Sequence, residues 1–395
     1  SGSASNDGKP ISKSGFSTDQ TYATSTLNPN PLKPDATVAI QTVTQVSFSI
    51  DDLSTIPVQS LTHVCAPVSN INFTMAGGKL IGTSPDVAKY TQSFQTDAGG
   101  ARKISILEWD TYAFTFSNAS YDIVGTIPLS PLFISPGSTQ NMKLVMEIKN
   151  PRALLVTVKD SATGLPLSNA AVTLTGPGYS GTFTTGRWFL SQTDWSGGAG
   201  QEIFINANQY ASQNGNMEAN SPQGQLSLLK TGGDYITPGA LVSSVFDTGS
   251  ASNFYSITWQ PSSQPSDAGP ESVRFQLATA TTTEPQAWDY KGPDGTGGTY
   301  FTTADTNINA IHSGDRYIRY KLDLQTASTS VTPSIADVAI TFASDCVPPG
   351  QVFFSGLPGP SYGITITRSG YDTITDTVTV GSPWQEYVAS MAPAT

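Results

Sequence analysis

Apolar and polar positions alternate in short bursts along this chain. They do not recur every three or four residues, as a helix would require. From Ala36 to Ile50 the run ATVAIQTVTQVSFSI is β-branched and alternating, which predicts a strand. Further strand signals follow at short spacing: VSNINFTMA, RKISILEW, YAFTFS and KLVMEI, then ALLVTVKD and AAVTLTG after Asn150-Pro151. Beyond these come SSVFDTG, YSITWQ, VRFQLAT, RYIRYKLDL, ADVAITF, QVFFSGL, YGITITRSGY and DTVTV. The 36 Gly and 27 Pro are spread along the chain, so they read as turns between many short strands. The expected fold class is all-β, with sandwiches built from short strands.

Part of this pattern occurs twice. A first copy, from about Val68 to Ile148, reads SNINFTMAGGKLIG, SFQTDAGG, ISILEWDTYAFTFSNASYDI and PGSTQNMKLVMEI. A second begins at Ala153 with LLVTVKDSATGLPLSNAAVTLTGPG and LSQTDWSGG, breaks off, and resumes after Cys346 as PPGQVFFSGLPGPSYGITITRSGYDTITDTVTV. Aligned this way, Thr96-Asp97 matches Thr193-Asp194, Tyr112 matches Tyr362 and Tyr121 matches Tyr371. A Thr-Asp-x-x-Gly segment is a turn, and a tyrosine opening a strand can bury its ring while its hydroxyl caps a backbone group. The expected organisation is a lead-in over 1–60 with an edge strand, and a first sandwich over 61–150. A discontinuous second sandwich would take 151–199 plus 346–395, with an inserted domain over 200–345.

The pattern from Val156 to Leu174, with Thr193-Asp194 and Phe354 to Tyr371, resembles the carboxypeptidase regulatory-like domain. That resemblance implies a transthyretin-like, seven-stranded sandwich with a structural or adhesive role and no active site. The first copy departs from the pattern, with Glu108-Trp109-Asp110 in place of GLPG. The order of parts also resembles surface proteins with a prepilin-type N-terminal segment. In the insertion, GALVSSVFDTGSASNFYSITWQ, VRFQLATA and GDRYIRYKLDL with TPSIADVAITF resemble jelly-roll sandwiches of the carbohydrate-binding or galactose-binding-like kind. First and last strands often pair in such folds, which suits insertion into a loop.

Composition narrows the function. Charged residues are 12% of the 395, and the net charge of −11 makes phosphate backbones and bare anionic membranes unfavourable partners. No stretch approaches the ~20 apolar residues of a membrane span. The chain opens SGSASNDGKPISKSG, so its native start and any export signal are expected upstream. Cys65 and Cys346 lie outside any CxxC pair. A disulfide between them fits an exported protein, and two buried thiols are the alternative.

Chemistry has few candidates. A His-based triad would need His63 or His312; the first reads as a strand residue near a domain junction, the second as a solvated turn residue. Glu108 and Asp110 flank Trp109, but they stand where the other copy has a turn, so scaffold is favoured over a glycosidase pair. Calcium, with oxygen ligands from loops, is the cofactor a secreted sandwich would take. Its candidate ligands are Asp51, Asp52, Asp247, Asp289 and Asp294, although Asp294-Gly295 reads equally well as a turn. Lys79, Glu108 and Asn141 form a candidate isopeptide trio. Trp259, Trp288, Tyr290 and Tyr300 cluster within the insertion, and exposed aromatics stack on sugar faces, with Asp294 nearby to bond hydroxyls.

Two function classes are expected from these features. One is a non-catalytic, pilin-like subunit of a bacterial surface appendage whose partners are other copies of itself. The other is an adhesin that binds surface glycans through the inserted domain.

Overall fold

The computed structural model describes residues 10–36, 41–199, 203–204, 209–381 and 384–394. The fold is all-β. In the first repeat, Ser54–Leu61 runs antiparallel to Ala101–Leu107 on one side and parallel to Met142–Ile148 on the other, with Tyr121–Ile127 at the far edge. The facing sheet centres on Asn72–Gly77, between Thr91–Gln95 and Asp110–Phe116, with Leu132–Ile134 beyond. Period-2 alternation sends Ile56 and Val58 inward from one sheet and Phe73, Met75 and Phe114 from the other, and these fill a single core.

The second repeat reproduces this wiring. Ala153–Asp160 lies antiparallel to Gln351–Ser355 and parallel to Trp384–Met391. Ala171–Gly176 lies between Tyr179–Thr184 and Ser361–Thr367, with Ile374–Thr379 at the edge. The matched tyrosines do matching work. Tyr112 donates its hydroxyl to the Glu108 carbonyl, and Tyr362 accepts from the Gly359 amide, each at 2.7 Å. Each ring also meets a second tyrosine edge-on, Tyr90 or Tyr179.

The hydrogen bonds correct one match. Thr96 Oγ1 accepts from the Ile71 amide at 2.9 Å, and the residue doing the same in the second repeat is Thr185, which accepts from Ala170 at 3.0 Å. Asn70 and Asn169 precede these amides, both with left-handed φ. Gly100 and Gly350, again both at positive φ, offer their carbonyls to Ser60 and Val158. The tight turn from Asp97 to Gly100 is therefore what the insertion replaces, and the insertion opens at Arg187 rather than near 200. Thr193-Asp194 belongs to the inserted domain. Asp194 makes its own Asx-type turn there by accepting from Ser196, which is why it imitated the repeat.

The insertion is held shut at its neck. Its first strand, Trp188–Gln192, pairs antiparallel with its last, Asp337–Ser344. These join a large sheet through Val245–Gln260, Asp315–Leu324 and Gly239–Ser243, with Val273–Ala280 also on Asp315–Leu324. A small sheet of Met217–Asn220, Gln223–Leu228 and Ser334–Ile335 contributes Leu226, Leu228 and Ile335 to the same core.

The strand expected over Ala36–Ile50 is not formed. Residues 37–40 lie outside the described residues, and 41–50 carry no strand. Ser54–Leu61 already has a neighbour on both sides, so the lead-in has no ladder there to join. It is tied instead by single bonds, such as the Ser49 amide to Asp19 and Lys33 to the Ser47 carbonyl.

Candidate functional site

The sugar-platform residues separate into two groups. Trp259 is 1% exposed and packs on Phe275 at 4.9 Å inside the inserted core, so it offers no face to a ligand. Trp288 and Tyr290 are half-buried and gather around Arg319, which lies 5.2 Å from the Trp288 ring. Burial pushes the Tyr290 hydroxyl above its ordinary range. Asp294 stands apart as a turn residue, accepting from the Thr296 amide and from the hydroxyls of Thr296 and Thr299. The Thr299 hydroxyl, foremost among these, holds its carboxyl below the usual value.

Two of the calcium candidates pair with cations. Asp247 accepts from Nε and one Nη of Arg316, at 2.7 and 2.9 Å, and from the Gly249 amide. Asp289 pairs with Lys291 at 3.0 Å, and Asp51 accepts the Trp109 indole N–H. Asp52 bridges Phe16 through its backbone, and its carbonyl accepts from the Gly137 amide. Among the described residues, no three His, Cys, Asp or Glu side chains gather as a metal site would need.

The isopeptide trio is two-thirds assembled. Lys79 and Lys89 both grip Glu108, each at 2.6 Å, and Lys79 also sits 3.6 Å over Trp109. Asn141 is exposed at the start of Met142–Ile148, and Lys89 takes the third place in the cluster. Asp110 is buried and accepts from the Lys79 and Thr111 amides.

His312 corrects a further expectation. It is 2% exposed rather than solvated, and burial holds its imidazole below the ordinary range, with the nearby Lys291 adding to this. His63 lies in a turn, not a strand, but it does sit at a junction. Its ring stacks on Trp188 of the insertion at 4.7 Å, and its Nδ1 meets Glu147.

That junction concentrates the specific chemistry of the molecule. Cys65, in the turn after Ser54–Leu61, is bonded to Cys346, where the chain leaves the insertion. Gly249 approaches so closely that a Cβ there would lie 1.9 Å from the Val64 carbonyl oxygen. Between the two repeats, Leu61, Val124, Val145, Ala153, Leu155 and Phe353 form a buried apolar seam around Cys346. The Gln351 side chain closes it like a peptide bond: Oε1 accepts from the Thr126 amide at 3.1 Å and Nε2 donates to the Thr126 carbonyl at 3.0 Å. Trp384 donates its indole N–H to the Ile123 carbonyl. A Gln351→Ala change leaves both buried Thr126 groups unpaired and should cost about 1–3 kcal/mol. Faster hydrogen exchange of the Thr126 amide, without loss of either repeat core, is the expected readout.

The sequence did not single out Gln351, Gly249 or Trp188 as junction residues. His63 and the two cysteines carried the signal, the cysteines because their pairing requires the two matched elements to meet.

No protein-family model matches the chain, and no curated protein matches it either. Solved structures overlap it shallowly. A Streptococcal ancillary pilin shares 9% identity over 92% of this chain and 71% of its own, with a TM-score of 0.20. The shaft pilin SpaA from Lactobacillus rhamnosus GG shares 9% over 87% of this chain and 98% of its own, at 0.18. The Bacillus anthracis TIE protein shares 10% over 91% of this chain and 55% of its own, at 0.20.

Proposed function

We propose that this chain is a non-catalytic structural subunit of an extracellular surface appendage, of pilin-like kind, built to carry tension. One observation carries the reading: in each repeat the first and last strands are parallel neighbours. Ser54–Leu61 pairs with Met142–Ile148, and Ala153–Asp160 pairs with Trp384–Met391 over eight residue pairs. Pulling the ends of such a domain shears the pair, so all its hydrogen bonds resist together. An antiparallel terminal pair pulled from adjacent ends would instead peel open bond by bond.

Other features agree with an exported subunit. The disulfide suits an oxidising compartment, and no helix among the described residues is long and apolar enough to cross a membrane. The insertion hangs from a loop of the second repeat, off the direct line between its terminal strands.

Single-molecule pulling tests this. Extension of the second repeat through its natural ends should need a markedly higher force than extension through anchors at Arg152 and Gln385. Those anchors lie at the same end of the parallel pair and unzip it. Equal forces in the two directions would sink the reading.

A further inference from the structure

Each sandwich has two flanks, where its two sheets end side by side, making four in all. Two are covered within the chain. The Tyr121–Ile127 flank of the first repeat meets the second repeat, where Val124 is buried with Leu155 and Phe353. The Tyr179–Thr184 and Gln351–Ser355 flank of the second repeat meets the insertion, whose Phe189 stacks on Phe183 at 5.7 Å.

The other two flanks are open among the described residues. In the first repeat, Thr91–Gln95 and Ala101–Leu107 are exposed at most positions. The lead-in reaches only one end of this flank, near Tyr90 and Ile106. Phe94 here is the counterpart of Phe183, but it has no second aromatic stacked in the place of Phe189. Arg102 lies 5.4 Å over its ring. A groove of about 1110 Å³ opens beside it, lined by Phe73, Phe94, Phe116, Arg102 and Lys103.

In the second repeat, Ile374–Thr379 and Trp384–Met391 form the other open flank. Trp384–Met391 occupies the place of Met142–Ile148, yet it lacks the outer strand that Tyr121–Ile127 supplies in the first repeat. Its Val388 is 52% exposed. Tyr387 donates to Asp376 across the two edge strands at 2.9 Å and so ties them into one surface.

The charges on these strands are of one sign each. The strands of the first flank carry Arg102 and Lys103, with Asp97 in the turn that joins them; those of the second carry Asp376 and Glu386 and no base. Edge-strand charges discourage pairing of like with like. Here they disfavour contact of either flank with its own copy and favour the one remaining combination.

We propose that the two open flanks are the two halves of one interface, through which a second copy of this chain docks its Ile374–Thr379 and Trp384–Met391 flank onto the Thr91–Gln95 and Ala101–Leu107 flank of the first. Both sheets continue from one copy to the next by edge-to-edge hydrogen bonds. Asp376 and Glu386 then face Arg102 and Lys103. The two patches differ, so the contact is heterologous and repeats head to tail, giving an open filament wherever its rotation does not close a ring. This rests on the appendage reading and names the contact that builds it.

The test is assembly of the full chain, followed by sedimentation velocity and electron microscopy at rising concentration in low and high salt. Wild type should form linear oligomers that shorten as salt rises. R102E/K103E and D376K/E386K should each weaken association at least about tenfold while each chain stays folded, with D376K/E386K melting slightly lower for the lost Tyr387 and Thr157 bonds. Mixing these two variants restores opposite charges at both kinds of contact, so assembly should return. Oligomers indifferent to all four substitutions, or a mixture that fails to reassemble, would overturn the interface and leave the tension-bearing reading untouched. A chain that stays monomeric at every concentration would overturn it too. The pulling experiment, which uses isolated molecules, judges the function separately.

Discussion

Replacing Cys346 by serine is expected to lower the stability of the assembled chain by roughly 5 kcal/mol, the loop-entropy value for a bridge across 281 residues. The loss should fall unevenly. Cys65 and Cys346 join the first repeat to the exit of the insertion, so the seam around His63, Trp188 and Gly249 should open first. The core of the second repeat should melt close to its original temperature. Calorimetry with and without reductant would show this, with reduced wild type and the serine variant behaving alike. A change under about 1 kcal/mol would mean that the buried seam alone holds the parts together.

Trp259→Ala should destabilise the inserted domain by about 3–5 kcal/mol, as expected for a large aromatic removed from a filled core. Trp259→Phe should recover much of this. The indole N–H has no hydrogen-bond partner among the described residues, so phenylalanine forfeits packing volume but no hydrogen bond. Denaturant unfolding of the two variants decides it. A mild alanine effect would contradict the placement of Trp259 against Phe275.

The sequence carried the fold class well, because strand alternation and turn chemistry are local. It carried the repeat for a related reason: Tyr112 and Tyr362 cap backbone groups at equivalent bends, and that job restricts the residue. It misled at Thr193-Asp194, since an Asx turn looks the same wherever it occurs, and only the bonds from Ile71 and Ala170 reveal Thr185 as the true counterpart of Thr96. Ala36–Ile50 shows the complementary limit. Alternation shows that a segment suits a sheet, but not whether any sheet has a vacant edge beside it.

The candidate site was harder to read, for physical reasons. Trp259 and Trp288 look alike in sequence, and their difference lies in what packs over them. Asp247 looked free until Arg316, far along the chain, supplied its partner. Gln351 gave no local signal because its work is done on a backbone amide in another domain.

The bridge between Cys65 and Cys346 also sets how far the molecule can be drawn out. A pull entering through Ser54–Leu61 reaches Cys65 and can cross the sulfur atoms directly into the second repeat. Everything between the cysteines, Met142–Ile148 and Ala153–Asp160 included, then lies on a closed side loop that cannot lengthen the path even when unfolded, so the two parallel pairs take the full tension only where the bridge is reduced. The bridge spans 281 residues, so it withholds on the order of 950 Å of slack at full extension. An oxidised filament of such subunits would be nearly inextensible past this joint, and a reduced one would pay out like a released tether.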